Sequence, residues 1–421
     1  MQIIEAELQF PEKTLNYTRE TIFKEVESQL KQNHLPAGGE IAITAGSRGI
    51  YNIDGILKDT LDAVRSFGYT PFLVPAMGSH GGATAEGQLE VLQHLGITDK
   101  TMGAEVRSSM DVELIGYTEN GVPAYMDKHA FHADGIIVVN RIKAHTAFRG
   151  NVESGLSKMV TIGLGKIRGA TFVHSHGALK MEENITDVCK TCLEKGPAIM
   201  GLAIVENAYD KTAVIKGVER ERWFEKEAEL LEQSKSMMPQ LPLDKIDVLV
   251  IEEMGKNYSG TGMDPNIIGR WRIDGVPEPS SPAVNRIAVL NLSEESFGNA
   301  QGVGLADFIT QRLADQIDRH VTYTNALTST YLRRAMLPFI YDTEKEAIET
   351  ACNSLGPDVD MDQIIFLQIP NTLHLEKMYV SKQALHEMEK QNIPLKKGKR
   401  FSLTFNQQGE LAMRLNEKSS V

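Results

Sequence analysis

The sequence predicts an α/β protein with two domains, each built on a mostly parallel sheet. In the first half, short apolar segments alternate with segments whose apolar residues recur at helical spacing, and the alternation restarts in the second half. Parallel strands are joined by helical crossovers, so this alternation is typical of parallel sheets covered by helices. The length of 421 residues agrees, because it exceeds what one hydrophobic core usually organises.

The first half carries the clearest alternation. Residues 41–45 and 71–76 predict strands, and apolar residues from Ile53 to Val64 recur between them at helical spacing. Thr84 is expected to cap the next helix, because its hydroxyl can accept a backbone hydrogen bond from the first turn. Further strands are predicted over residues 112–117, 135–140 and 198–206.

A polar helix and a proline-rich segment mark the predicted domain boundary. The helical pattern over residues 221–238 is followed by PQLPLD, whose prolines interrupt regular structure. We therefore expect domains of residues 1–240 and 241–421, with the candidate site in the cleft between them. In the second half, strands are predicted over residues 245–253, 285–293 and 363–370, and a helix over residues 302–318.

Composition and charge exclude several classes of protein. The formal charge of -12 argues against a nucleic-acid or anionic membrane surface. We expect neither a signal peptide nor a bilayer span, because the required apolar runs are missing. Three cysteines cannot form a disulfide framework, which fits a reducing cytoplasm. Cys189 and Cys192 lack the second pair of a zinc site, and we interpret them as ordinary helix residues.

Ionisable residues follow several of the predicted strands. In open α/β sheets, ligands bind at the carboxyl ends of the strands. Cations and imidazoles that converge there would suit a site that binds a carboxylate and moves protons. The residues that follow strands in this way are Arg48, His80, His145 and Lys256.

These residues also have structural interpretations. Arg48 is compatible with a solvated turn and His145 with a surface loop. The glycines around His80 favour an active-site role, because they leave room for something large to approach the backbone. Lys158 lies in the small and apolar segment SGLSKMVTIGLG, where a lysine is either a functional amine or a stem that reaches solvent.

Familiar catalytic motifs are missing from the sequence. There is no G-x-G-x-x-G after a strand, and GLGKI lacks the spacing and the Ser/Thr of a P-loop. G-x-S-x-G and H-E-x-x-H are also missing. The sequence therefore does not predict a Rossmann dehydrogenase, an NTPase, a serine hydrolase or a zincin.

The order of the short motifs resembles the nickel-dependent lactate racemase family over nearly the whole chain. An arginine loop (AGSRG) is followed by GSHGG, a His-containing loop, the lysine segment SGLSKMVTIGLG and the histidine segment ATFVHSHG. Each motif is weak alone, and their order makes the resemblance specific. It implies a cytoplasmic isomerase, a racemase or epimerase that inverts the 2-hydroxy carbon of a small hydroxy acid by reversible hydride transfer.

The resemblance also implies a covalently held nickel-pincer nucleotide in the amino-terminal domain. Nickel would be bound by a pyridinium-derived mononucleotide through two sulfurs and a ring carbon. Lys158 would form the thioamide tether, and His174 would be the histidine ligand of the nickel, with His176 as the runner-up. Imidazole is a suitable ligand for nickel in a planar site. Proteins that synthesise the cofactor are implied as partners.

Four further residues receive roles from the resemblance. His80 and His145 match the family's two acid/base histidines, which serve opposite faces of the substrate. Arg48 matches the arginine that binds the substrate carboxylate, and a guanidinium suits bidentate binding of that group. Lys256 resembles the family's second-domain lysine and would help to bind the substrate.

Three departures from the family pattern bear on the substrate. The loop between His145 and Lys158 is longer, ESGLSK is less rich in glycine, and Glu252 and Glu253 are acidic. A polar acid such as an aldonate is therefore as compatible with the sequence as lactate. Two other functions stay open: a lyase that forms a Schiff base through Lys158, and a non-catalytic homologue that binds a nucleotide or metal.

Overall fold

The chain forms two compact units. The computed structural model describes residues 1–16, 18–47, 49–174 and 177–415, so Arg48 and His176 lie outside the described residues. The amino-terminal unit is Pro11–Met238, and the carboxy-terminal unit is Met1–Phe10 with Pro239–Val421. The expected division into 1–240 and 241–421 differs from this at the start of the chain. Residues 1–10 join the carboxy-terminal unit because the strand Gln2–Leu8 pairs with two of its strands.

Strands and α-helices alternate along much of the chain. The strands are β1 Gln2–Leu8, β2 Glu40–Ala45, β3 Thr70–Pro75, β4 Val112–Tyr117, β5 Pro123–Asp127, β6 Gly135–Arg141, β7 Ala198–Glu206, β8 Thr212–Glu219, β9 Lys245–Ile251, β10 Ala283–Val289, β11 Phe308–Thr310, β12 Phe339–Tyr341, β13 Phe366–Ile369, β14 Lys377–Ser381 and β15 Leu395–Ser402. The α-helices are α1 Thr18–Leu30, α2 Ile53–Ser66, α3 Ala85–His94, α4 Asp99–Met102, α5 Lys128–Phe131, α6 Leu156–Lys158, α7 Lys166–His174, α8 Met181–Lys195, α9 Trp223–Met237, α10 Pro265–Ile268, α11 Gln311–Asp315, α12 Arg319–Ser329, α13 Glu344–Asn353 and α14 Lys382–Lys390.

The amino-terminal unit is built on a sheet with the strand order β3-β2-β6-β7-β8. Its strands are parallel except β8, which runs antiparallel to β7. Ile136 and Val138 enter one hydrophobic core, whereas Ile137 and Val139 enter the core on the other face. Burial on both faces explains why this strand is apolar throughout. The predicted α/β class is confirmed.

Two predictions about local structure in this unit are also confirmed. The apolar residues of α2 that recur at helical spacing, among them Ile56, Leu57 and Leu61, are fully buried. The Thr84 hydroxyl accepts a hydrogen bond from Gly87 N at 3.0 Å and so caps α3. The predicted strand over residues 112–117 forms as β4, but it pairs only with β5 in a separate antiparallel ribbon.

The carboxy-terminal unit contains a mixed sheet. Its strand order is β12-β11-β10-β9-β13-β14-β1-β15, with the first five strands parallel and the last three joined by antiparallel pairing. Strand β9 therefore lies between β10 and β13, which follow it along the chain. The strand order reverses between β9 and β13, and the loops after these two strands lie at the usual ligand-binding edge of such a sheet.

The predicted helix over residues 302–318 is wrong. Only Gln311–Asp315 is α-helical within it, and Phe308–Thr310 is a strand. This strand pairs in parallel with β10 and with β12, and Ile309 is fully buried. Pairing with two neighbouring strands therefore outweighs the local helical spacing of the apolar residues.

Two findings bear on the cysteines and on membranes. Cys189 and Cys192 are buried in α8, as predicted for ordinary helix residues. Across the described residues, none of the helices combines the length and apolar character needed to cross a bilayer.

Candidate active site

The candidate site lies at the carboxyl edge of the amino-terminal sheet. Strands β3, β2 and β6 are neighbours, so the loops after them meet at this edge. Ser47, after β2, contacts His80, after β3, through its Oγ and the ring Nδ1 at 2.5 Å. The two loops are thus joined directly. Arg48, the next residue after Ser47, is outside the described residues.

The GSHGG loop packs closely on its surroundings at two of its glycines. Gly78 has a φ of 63°, and a Cβ there would lie 3.2 Å from both Cγ2 and O of Ile162. Gly81 has a φ of 65°, and its Cβ would lie 2.5 Å from the carbonyl carbon of Gly87. Only at Gly82 is the space around a Cβ open. The glycines therefore serve mainly to seat the His80 loop on the protein, and less to admit a ligand than the sequence predicts.

A buried glutamate shapes the loop that carries His145. Backbone hydrogen bonds between Lys143 and Ser154 close the loop. Inside it, Glu153 is buried and accepts a hydrogen bond from His145 N at 2.6 Å. The His145 ring packs against Phe148, with ring centroids 4.2 Å apart. The backbone of His145 and the face of its imidazole ring are therefore both held in place.

Lys158 and His145 are in direct contact. Lys158 Nζ lies 3.0 Å from His145 Nε2. Ala147 N donates to Nδ1 of the same ring at 3.1 Å, so the proton of the neutral imidazole is on Nε2. An ammonium has no lone pair to accept that N–H, so the contact suits a neutral amine. A neutral amine is the form of lysine that attacks electrophiles.

The helical segment that starts at α6 connects Lys158 to His174. After α6, residues 159–163 form a π-helical turn, and α7 ends at His174. Burial lowers the pKa of His174 to about 4. Near neutral pH the ring is therefore uncharged and keeps a lone pair for a metal.

A second lysine of the same segment is a structural residue. Lys166 is completely buried, and its Nζ lies 3.0 Å from Gln88 Oε1 and 3.2 Å from Asp127 Oδ2. Burial lowers the pKa of Lys166, although Asp127 opposes the change. Gln88 in turn donates to Gly78 O at 3.0 Å. Lys166 therefore helps to fix the His80 loop and is poorly placed to bind a cofactor covalently.

Lys256 belongs to the carboxy-terminal unit. It follows β9, and its Nζ donates to Gly260 O at 2.8 Å and to Asn325 Oδ1 at 3.3 Å. The preceding acidic residues have structural partners there. Glu253 accepts from Tyr258 and Asn291, and the buried Glu252 accepts from Gln368.

The structure adds residues that the sequence analysis did not identify: Ser47, Gln88, Glu153 and Glu227. Glu227 had a detectable signal, because it shares helical spacing with the apolar residues Trp223, Leu230 and Leu231. A carboxylate on an apolar helix face is rare unless it has buried partners. In the sequence, only its position beside Arg48 indicated a functional role for Ser47.

The donor set of the site is compatible with a metal that arrives with most of its own ligands. Among the described residues, no group of three or more His, Cys, Asp or Glu side chains could hold a metal ion. What the site offers is one neutral imidazole, His174, and one amine beside a histidine, Lys158. An amine tether and a single imidazole are the contributions that a nickel-pincer nucleotide requires of the protein.

Comparisons with known proteins give a distant likeness to a solved structure. No protein-family model and no curated protein matches the chain. Among solved structures, the chain is similar to the lactate racemase apoprotein from Thermoanaerobacterium thermosaccharolyticum, with 13% identity and a TM-score of 0.44. The match covers 82% of this chain and 91% of that chain. A likeness this distant carries no information on activity, so the chemistry rests on the residues of the site.

Proposed function

We propose that the chain is a racemase or epimerase of a small 2-hydroxy acid and works with a nickel-pincer nucleotide tethered to Lys158. The observation that carries the proposal is the 3.0 Å contact between Lys158 Nζ and His145 Nε2, in a segment that ends at the neutral imidazole of His174. In this arrangement, neighbouring elements would supply a nucleophilic amine, a proton-transfer group and a metal ligand. The motif order of the sequence supports the same assignment.

Two residues would hold the cofactor. Lys158 would bind it covalently through Nζ, and His174 would be the histidine ligand of its nickel, with His176 as the alternative. The bound group would supply a reversible acceptor for the hydrogen on the hydroxyl-bearing carbon. The buried contacts of Lys166 support Lys158 rather than Lys166 as the tether.

The remaining proposed roles concern the substrate. His80 and His145 would exchange the hydroxyl proton, one as base and the other as acid. Ser47 holds Nδ1 of His80, which makes Nε2 the ring atom for that exchange. Arg48 and Lys256 would bind the carboxylate. Lactate-like acids and aldonates are both candidate substrates.

A Schiff-base lyase is the second candidate, because the same contact favours an unprotonated lysine amine. The two functions differ in what they leave on Lys158. A lyase would be trapped by borohydride only in the presence of a carbonyl substrate, whereas the cofactor adduct would be present without any substrate.

The test of the proposed function is the mass and nickel content of protein made together with the cofactor-synthesis proteins. Wild type is expected to carry the nucleotide adduct on the peptide that contains Lys158. Lys158→Ala should lose the adduct, and His174→Ala should lose nickel more than nucleotide. Lys190→Ala, which changes an exposed lysine on α8, is the matched control and should keep both. An adduct that survives in Lys158→Ala, or maps to Lys166, would refute the assignment.

A further inference from the structure

A fully buried carboxylate lies at the start of the segment that carries Lys158. Glu227, on α9, has 1% of its surface exposed. Ser157 N lies 3.1 Å from both carboxylate oxygens, and the Ser157 hydroxyl donates to Oε2. The Ser157 hydroxyl also accepts a hydrogen bond from Trp223 Nε1 at 3.1 Å. The residue that directly precedes Lys158 is thus fixed through its backbone and its side chain.

The geometry is that of a helix cap supplied by another helix. The first turn of a helix has backbone N–H groups without partners inside the helix, and a carboxylate there is stabilised by hydrogen bonds and by the helix dipole. No side chain from the segment itself caps it, because the preceding residue is Gly155. A Cβ at Gly155 would lie 2.2 Å from Glu227 Oε1, so glycine is needed for the carboxylate to come this close.

The other side of this turn is held as well. Asn140, at the end of β6, donates from Nδ2 to Gly155 O at 2.7 Å. The turn is therefore held between the sheet and α9. The backbone directly before Lys158 is thus fixed from two sides, and the Lys158 side chain extends to His145.

We propose that Glu227 is a positioning residue that directs Lys158 toward His145 by capping the first turn of residues 156–163. The contribution of Glu227 to catalysis rests on the proposed role of Lys158. The effect of Glu227 on the position of the Lys158 amine does not require a cofactor. Without the cap, the first turn would loosen and Nζ would leave the imidazole. The amine would then lose its contact with the ring of His145.

The test is the reactivity of Lys158 in cofactor-free protein. Trace acetylation with acetic anhydride at about pH 8, followed by peptide mass mapping, gives the labelling ratio of Lys158 to the exposed Lys190. Glu227→Ala is expected to lower this ratio on the order of tenfold, because Nζ would lose the neighbouring imidazole on which its reactivity is proposed to depend. Glu227→Gln should stay near wild type, because its amide oxygen still accepts from Ser157 N.

Two variants complete the design. Glu229→Gln, which changes an exposed carboxylate of α9 that pairs with Lys226, is the matched control and should leave the ratio unchanged. Ser157→Ala removes one hydrogen bond to Glu227 and keeps the backbone N–H, so it should lower the ratio by less than Glu227→Ala. It also serves as the test if Glu227→Ala does not fold.

Three results would overturn the proposal: a wild-type ratio in folded Glu227→Ala, a wild-type ratio in Ser157→Ala, or a Gln variant that behaves like the Ala variant. The last would mean that buried charge, and not the capping geometry, matters. Failure of the proposed function would look different. An adduct that survives in Lys158→Ala would refute the tether and leave the labelling ratio unaffected.

Discussion

At the scale of single residues, the candidate catalytic groups are held by partners that leave their rings few orientations. Glu153 accepts from the backbone of His145, and Ser47 contacts the ring of His80. Gln88 binds the backbone of the His80 loop and is itself held by Lys166. Such fixation lowers the cost of reaching a productive geometry, which is how positioning contributes to catalysis.

Substitution of either acid/base histidine is expected to reduce turnover without removing the cofactor. His80→Ala and His145→Ala should each cost roughly 10²–10⁴-fold in kcat, the usual scale for general acid–base groups. Nickel and nucleotide content, measured on the same preparations, should stay near wild type. His129→Ala, which changes a histidine of α5 away from the strand-end loops, is the control.

The two substitutions also test whether the roles are exchangeable. Each histidine is proposed to serve one face of the substrate, so each is needed in both directions of the reaction. If His145→Ala keeps wild-type turnover in both directions, the role assigned to it belongs to another residue of the longer loop.

At this scale the sequence analysis named candidate reactive side chains and did not name the residues that hold them. Lys158, His145 and His174 were named from motif order, and the structure places Lys158 in contact with His145. Glu153 was not identified because it acts across a loop, and the helical spacing of Glu227 with apolar residues of α9 signalled its burial without indicating its partner Ser157. Partners that are distant along the chain leave little local pattern in a single sequence.

At the scale of elements, α9 shows what a correct helix prediction leaves out. Its helical pattern was predicted, but the burial of Glu227 and Trp223 on one of its faces was not. Residues 302–318 show the opposite case. There the sequence has a helical pattern, but parallel pairing with β10 and β12 makes residues 308–310 a strand.

The burial of Glu227 predicts a dependence of stability on pH. Burial, opposed by hydrogen bonds from Ser157 and the neighbouring backbone, raises the pKa of Glu227 from 4.5 to about 7. Between these values the folded protein keeps a proton that the unfolded chain releases, so the free energy of unfolding falls as pH rises through this window. The contribution is fully present below pH 4.5 and lost above about pH 7, a difference of about 3 kcal/mol.

Urea unfolding of wild type and Glu227→Gln across this pH range measures that contribution. Glutamine does not ionise, so the stability of wild type relative to the variant should fall as pH rises. His174 has the opposite effect: its pKa of about 4 makes stability rise with pH below its ordinary value of 6.5. It is present in both proteins and cancels in the difference. A difference that does not change between pH 4.5 and 8 would contradict the assignment, and Glu229→Gln should give such a flat result.

At the scale of the whole molecule, the two divisions of the chain differ in how much local sequence pattern accompanies them. The unit boundary at Met238 and Pro239 lies in the proline-rich segment after α9. Strand β1, by contrast, pairs with β14 and β15 at the far end of the chain. Pairing over such a separation has no local signature, since either partner alone is only a short strand.

The fate of one hydrogen atom in the complete, cofactor-loaded protein separates the proposed reaction from an ordinary racemisation. In an ordinary racemase the hydrogen on the inverting carbon leaves as a proton and mixes with water. In the proposed reaction it leaves with its electron pair and returns to the same carbon on the other face. The proton of the hydroxyl group, handled by His80 or His145, exchanges with solvent in either case and carries no information.

A substrate deuterated at C2 should therefore give product that retains its deuterium, and turnover should slow by a primary isotope effect where chemistry limits the rate. The same reaction in heavy water should place little deuterium at C2. Both a lactate and an aldonate serve as substrates, because the sequence leaves the two open, and mass spectrometry of the product during early turnover gives the retained fraction. Complete exchange of C2 hydrogen with solvent would count against the proposed reaction and favour proton abstraction by the histidines or chemistry centred on Lys158.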